Sequence, residues 1–211
     1  FEASIGCVNK IIFSSSAAVY GNKYEHDISS IFGKHPITPY AWQKSAIEDI
    51  SKIFCNLYDI DIVSLRYFNV YGPGQIGGTP YSSVISTWLH CIETHIPLVL
   101  EGDGTQSRDF VYIDDIVRAN IIAANHHEQF NGIAYNISTG IPITNNRILE
   151  YFDDYFGEIN VKKAPSRKGD IKFSLGNSSR IESHLSFSTE TSFSEGIAKT
   201  FNWHTNKKET K

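Results

Sequence analysis

The chain has 211 residues, enough to bury a sizeable core in one domain or two small ones. Its net charge of −4, with 19 basic residues scattered along it, leaves no basic footprint for nucleic acid, and 41% hydrophobic against 20% charged residues reads as soluble and globular. No apolar stretch reaches the ~18 residues of a membrane-spanning helix. No secretory signal is visible, and a chain opening on Phe1 without methionine is expected to have lost its true start. Cys7, Cys55 and Cys91 are odd in number and far apart, which reads as free thiols in a reducing compartment; the expected location is cytoplasmic.

The first strand is expected at Ile11-Ile12-Phe13, closed by the serine run Ser14-Ser15-Ser16. Further on, Thr38-Pro39-Tyr40-Ala41-Trp42-Gln43-Lys44-Ser45 opens a helix whose apolar spacing continues through Ile47, Ile50, Ile53, Phe54 and Leu57. The spacing of Tyr40 and Lys44 puts phenol and ammonium on one helix face, one turn apart. A cation there favours the phenolate, so a tyrosine with a reference pKa of ~10 can serve as a base nearer neutrality. One such pair arises easily by chance in a chain with 11 tyrosines, so the flanks decide.

Residues 60–66 read as the next strand, followed by Tyr67-Phe68-Asn69-Val70-Tyr71-Gly72-Pro73-Gly74. Strand, helix, strand with polar residues at strand ends is where open parallel sheets hold ligands. Beyond it, residues 81–91 have helical spacing and 97–100 form a short strand stopped by Gly102-Asp103-Gly104. A strand at 108–113 runs into Asp114-Asp115, acids suited to a helix start, and a helix through Ala123-Ala124. A strand at 132–137, a helix at 145–156, the segment 167–174 and a helix at 193–203 complete the chain. No repeat or low-complexity linker occurs, so a second lobe is expected to interleave with the sheet. The histidines, including His90, His95 and His126-His127, show no ligand spacing with cysteines or carboxylates, and no metal is expected.

The segments FSSSAAVYG, TPYAWQKS, LRYFNVYGPG and GDGTQSRDFVYIDD together resemble the extended short-chain dehydrogenase/reductase family, in its nucleotide-sugar epimerase and dehydratase branch. The resemblance runs from Lys10 to Trp203. It implies an α/β fold: the C-terminal part of a Rossmann-type parallel-sheet domain, plus a smaller mixed α/β domain for the nucleotide sugar, with NAD as cofactor. Residues 1–75 would belong to the first, with 111–139 packing on it; 76–110 and 140–204 would form the second, and 205–211 a tail. The family carries a glycine-rich pyrophosphate turn ahead of the serine strand, whereas Gly72-Pro73-Gly74 and Gly77-Gly78 follow the helix of Tyr40. The chain is therefore expected to be the C-terminal part of a longer enzyme and to be inactive alone.

The resemblance also implies roles. Tyr40 would be the catalytic base, and Lys44 would bind the nicotinamide ribose. Ser16 would hydrogen-bond the sugar's C4 oxygen, while Tyr67 and Phe68 would meet the nicotinamide. Asn69 would face the substrate's phosphate–sugar region, Arg108 and Arg167 the diphosphate, Asp170 the nucleotide ribose, and the strand of Val99 the uracil. A planar, permanently charged guanidinium suits a diphosphate. Ala17 and Ala18 stand where dehydratases and decarboxylases carry acids, so the simpler reaction, 4-epimerisation of a UDP-sugar, is expected. Ser174, small where hexose-restricted relatives carry a bulky ring, leans toward UDP-N-acetylglucosamine and UDP-N-acetylgalactosamine, with UDP-glucose/UDP-galactose or the uronic acids as competitors. Residues 75–81 lack the paired asparagines of hexose-type epimerases. The alternatives are another reductase or dehydratase of the family, or an inactive sugar-nucleotide-binding fragment. The family's pairing through the helix of Tyr40 implies a homodimer, and its chemistry a place in polysaccharide biosynthesis.

Overall fold

The computed structural model describes residues 1–23, 28–79, 82–166 and 171–209. In chain order the elements are β1 (Lys10–Ser16), a 3-10 turn (Ala17–Tyr20), β2 (Ile28–Ser29), α1 (Pro39–Leu57), β3 (Asp61–Tyr67) and β4 (Asn69–Tyr71). Next come α2 (Val84–Thr94), β5 (Leu98–Glu101), β6 (Ser107–Tyr112), α3 (Ile113–Asn125), β7 (Ala134–Ile137) and β8 (Pro142–Thr144). The last are α4 (Asn145–Phe156), β9 (Val161–Ala164), β10 (Phe173–Ser174), β11 (Gly176–Asn177), α5 (Ser179–Leu185) and α6 (Phe193–Glu209). Among the described residues no helix is long and apolar enough to cross a membrane.

β1, β3 and β7 form a parallel sheet in that order, the Rossmann-type arrangement expected from the sequence. β3 is its centre and is buried nearly throughout, as a strand covered on both faces and both edges must be. Its register sets Ser16 opposite Tyr67, so the two strands end together. β6 anchors the second group of strands: β4 and β10 pair with it in parallel and β8 antiparallel. β5 pairs with β9, and β2 with β11.

Two apolar cores underlie these sheets. The first gathers Val63, Leu65, Ala119, Tyr135, Ile137 and Phe187 around β3, β7 and α3. The second gathers Trp88, Leu98, Phe110, Ile148, Phe152 and Phe201. There the Phe152 ring meets Phe201 edge-on at 4.7 Å and Trp88 at 5.6 Å, geometry that aligns ring edges with ring faces. Ile181 and Leu185 of α5 pack into the first core, although the division read from the sequence groups 140–204 with the second.

A buried polar network fastens α1 to the sheet. Glu48, on the inner face of α1, accepts from Arg66 Nε at 2.9 Å and Nη2 at 2.7 Å, and from Ser15 Oγ at 2.6 Å. Arg66 Nη1 donates to the Tyr20 hydroxyl at 2.7 Å and to the Ser30 carbonyl at 3.1 Å. Burial pushes the Tyr20 phenol above its ordinary range, so it keeps its proton and donates to Asn136 Oδ1 at 2.6 Å. Asn136 Nδ2 then donates to the Ile28 carbonyl at 2.6 Å. The network thereby joins α1, β1, β3, β7, the 3-10 turn and β2.

A second lock lies under β6. Asp109, fully buried, accepts from Thr139 N and Oγ1, both at 2.8 Å, from Gly140 N at 2.9 Å and from Gly176 N at 3.2 Å. Burial raises its carboxyl pKa above the ordinary carboxylate range, against the pull of these donors.

Replacing one member of a buried pair leaves the other charge unmatched. Glu48→Gln is expected to lower stability by ~3–5 kcal/mol in urea unfolding, and Glu48→Met combined with Arg66→Met to recover part of that. A loss below ~1 kcal/mol for the single variant would mean that the pair is not what holds α1. Asp109→Ala strands several buried N–H groups and is expected to cost at least ~3 kcal/mol in the same measurement; a neutral result would show that water replaces the carboxylate there.

Candidate active site

The site is built where β1, β3 and α1 meet. Ser16 is extended at the end of β1, and its hydroxyl accepts from Ala18 N at 3.2 Å, capping the 3-10 turn. Gly21 closes that turn with φ 62°, and a Cβ there would stand 2.1 Å from the His35 carbonyl oxygen, so only glycine fits. Strand alternation separates the serines. Ser15 turns into the buried network, and Ser16 is left to line the cavity at the strand ends.

α1 starts where Thr38 Oγ1 accepts from Ala41 N at 3.2 Å and Pro39 occupies the first turn, where its missing N–H costs nothing. This start fixes Tyr40, a residue 50% exposed. Lys44, one turn on, donates from Nζ to the Ser14 carbonyl at 2.7 Å, and the same Nζ lies 5.6 Å from the centroid of the Tyr40 ring. The ammonium is thus held beside the phenol by the end of β1. The Phe13 ring below it, at 4.9 Å, adds a cation–π contact.

A cavity of about 220 Å³ brings together Ser16, Tyr67, Phe68, Asn69, Arg108 and Ser174. Ala17 and Ala18 also line it, and no acidic residue does among those described. A second cavity, also about 220 Å³, is lined by Asn69, Arg108, Val99, Trp88, Glu101 and Gln106, among others. Asn69 and Arg108 line both. Two register facts put them there: Ser174 of β10 pairs with Arg108 of β6, and Asn69 of β4 pairs with Phe110 of β6. Asn69 is held by its Nδ2 on the Asp109 carbonyl at 3.0 Å.

Some expected residues carry structural duties. The Tyr67 hydroxyl bonds Asn120 on α3, with Asn120 Nδ2 at 2.9 Å, and Ser14 Oγ at 3.2 Å, so Tyr67 has its backbone and ring to offer the cavity. Phe68 is buried, and its N–H donates to the Ile137 carbonyl at 3.1 Å. The Val99 carbonyl already accepts from Trp88 Nε1 at 3.2 Å, which leaves one lone pair for another donor. Arg167 and Asp170 lie outside the described residues.

Residues that the sequence reading missed support the site from below. Glu48 lies one turn beyond Lys44 on the same face of α1, and Asp109 follows Arg108 in a strand, where its side chain must turn to the opposite, inner face. A charge placed inside by periodicity demands partners, and that was the available signal.

A dinucleotide needs two kinds of cradle. The exposed Tyr40 phenol and the strand-held Lys44 ammonium fit a ribose–nicotinamide end. Gly72, Gly74 and Gly77 reproduce the spacing G-x-G-x-x-G, but they follow β4 and α2 begins only at Val84, so they open no helix over a phosphate. α3, which does begin directly after a strand, carries Asp114 and Asp115 in its first turn and repels an anion.

Comparison with known proteins agrees with this arrangement. Residues 2–138 match the NAD dependent epimerase/dehydratase family. A UDP-glucuronate 4-epimerase of Thermodesulfobacterium geofontis is 32% identical over 202 residues, 93% of this chain and 59% of that protein. A UDP-N-acetylglucosamine 4-epimerase from Methanobrevibacter ruminantium M1, solved with UDP-N-acetylmuramic acid, has a TM-score of 0.87 at 37% identity over 95% of this chain and 64% of that one. A UDP-glucose 4-epimerase from Thermotoga maritima, solved with UDP-glucose, has a TM-score of 0.87 at 30% identity, over 100% of this chain and 67% of that one. The chain thus spans about 59% to 65% of the length of the curated relatives it first matches. The matched motifs, the parallel sheet and the tyrosine–lysine helix together place this chain in the NAD dependent epimerase/dehydratase family.

Proposed function

We propose that this chain carries the substrate pocket and proton-transfer residues of an NAD-dependent UDP-sugar 4-epimerase. The observation that carries this reading is the shared wall of Asn69 and Arg108 between two cavities, one reaching Ser16 and the other Val99. A diphosphate clasped at that wall would send its sugar toward Ser16 and its base toward β5. The Arg108 guanidinium can meet phosphate oxygens with two parallel N–H groups, and Asn69 adds a neutral donor.

In this reading Ser16 orients the C4 hydroxyl, and Tyr40 takes the proton from that oxygen and later returns it. Lys44, pinned by the Ser14 carbonyl, holds its ammonium 5.6 Å from the centre of the Tyr40 ring, a nearby cation that favours the phenolate while the proton is away. Tyr40, Lys44 and the backbone of Tyr67 and Phe68 would hold NAD, which when bound supplies the hydride transfer at C4. Ala17 and Ala18 offer no acid or base for expelling a hydroxyl, which favours epimerisation over dehydration. The relatives are named for glucuronate, N-acetylglucosamine and glucose, and our preference for 2-acetamido sugars rests on Ser174 beside Arg108. The exposed Trp42, Ile50, Ile53 and Leu57 on α1 favour a homodimer formed through that helix.

Tyr40→Phe in the full-length protein is expected to lower epimer interconversion by ~10² to 10⁴ while UDP inhibits as before. Activity within a few-fold of wild type would assign the base elsewhere. Ser174→Tyr is expected to reduce kcat/KM for UDP-N-acetylglucosamine by ~10-fold or more, at least ~1.4 kcal/mol, with a smaller loss for UDP-glucose, because a ring at that position excludes the acetamido group. Equal losses on both sugars would remove Ser174 as the gate.

A further inference from the structure

Far from the cavities, three potential ligands converge. His126 directly follows α3, Glu128 lies two residues on, and His184 is in α5. Glu128 Oε2 is 3.9 Å from His126 Nε2 and 3.5 Å from His184 Nε2, and one ligand atom from each of the three residues falls within 4.8 Å of the others. The imidazole rings stand nearly perpendicular, 5.2 Å between centroids. His126 Nε2 is buried and has no hydrogen-bond partner, which in a polar pocket leaves a desolvated nitrogen uncompensated. His184 uses its other nitrogen, Nδ1, on the Tyr135 hydroxyl, so Nε2 is the one turned to Glu128.

We propose that His126, Glu128 and His184 form a structural binding site for a divalent transition ion, with Zn²⁺ as the best match. Two imidazole nitrogens and one carboxylate oxygen are a borderline donor set that Zn²⁺ accepts in tetrahedral geometry, with water as the fourth ligand. Zinc–ligand bonds of ~2.0–2.1 Å put tetrahedral ligand pairs roughly 3.3–3.5 Å apart, so the Glu128 separations of 3.9 and 3.5 Å need little closure and the remaining pair, within 4.8 Å, needs more. Glu128 is the arm that moves, its side chain being 76% exposed. Metal at His184 Nε2 requires Nδ1–H to donate to the Tyr135 oxygen, the outer contact that orients a ligating histidine.

The position argues for a clamp rather than a catalytic role. The His126 carbonyl accepts from Lys10 Nζ at the start of β1, and the N–H groups of Phe130 and Asn131 donate to Asp61 Oδ1 at the start of β3, at 2.8 and 2.9 Å. Ser16 and Tyr67 are at the other ends of those strands, ~20 Å away at ~3.3 Å per residue. An ion here would tie the loop after α3 to α5. The nearby Lys10 ammonium weakens the site, so moderate affinity is expected. The sequence reading expected no metal because these ligands come together only through the packing of α5.

The test is Zn²⁺ titration of the untagged protein against a chromophoric chelator, with thermal melts in Zn²⁺ and in Mg²⁺. About one equivalent should bind with micromolar Kd, and Zn²⁺ but not Mg²⁺ should raise the melting temperature, as for any ligand of the folded state alone. Glu128→Gln and His126→Ala should each weaken binding by ~10-fold or more, and His127→Ala should not. Glu128 is exposed, so its variant keeps the fold and the test remains decisive even where a histidine variant unfolds. Absence of saturable binding, or binding that survives Glu128→Gln, would overturn the site.

Discussion

The bidentate pairing of Glu48 with Arg66 is the interaction on which the rest of this structure depends. Two charges buried between a helix and the central strand would be a liability in isolation, since removing each from water costs several kcal/mol. Here the remaining donors and acceptors are satisfied by Ser15, Tyr20 and the Ser30 carbonyl, so the pair holds one orientation of α1 over β1 and β3. That orientation puts Lys44 within reach of the Ser14 carbonyl, with the Tyr40 ring centre 5.6 Å from its ammonium. The placement of Lys44 at the end of β1 is a consequence of what is locked one turn further along the helix.

Strand β6 plays the corresponding part for the two cavities. Its alternation sends Asp109 inward, where Thr139, Gly140 and Gly176 hold it, and leaves Arg108 on the opposite face at the junction of two cavities. Neighbouring residues of opposite charge thus occupy different settings, Asp109 locked in the interior and Arg108 lining both cavities with its Nη1 on the Ser107 carbonyl at 2.9 Å. Asn69 links the two settings, because it lines both cavities and is itself held by the Asp109 carbonyl.

Much of this was legible in the sequence where the signal is local. The serine run, the Tyr40–Lys44 spacing and the branched and aromatic strands β1, β3, β6 and β7 announce themselves within a few residues. The short strands β8, β9, β10 and β11 and the helix α5 did not, because elements of that length exist only through partners distant in the chain: β10 on β6, β9 on β5, β11 on β2. The same reason hid Glu48–Arg66 and the His126, Glu128, His184 cluster. Patterning shows which face a residue occupies, and packing decides what it meets there.

The claim that Asn69 and Arg108 form the diphosphate seat can be tested on this chain directly, because both cavities lie within it. Calorimetric titration with UDP and with uridine, on the wild type and on Arg108→Ala, separates charge recognition from base recognition. A guanidinium–phosphate contact is worth ~1.5–3 kcal/mol. The account therefore predicts saturable UDP binding, much weaker uridine binding, and at least ~10-fold loss of UDP affinity in the variant. Equal affinity for UDP and uridine, or an Arg108→Ala protein that binds UDP like the wild type, would contradict it.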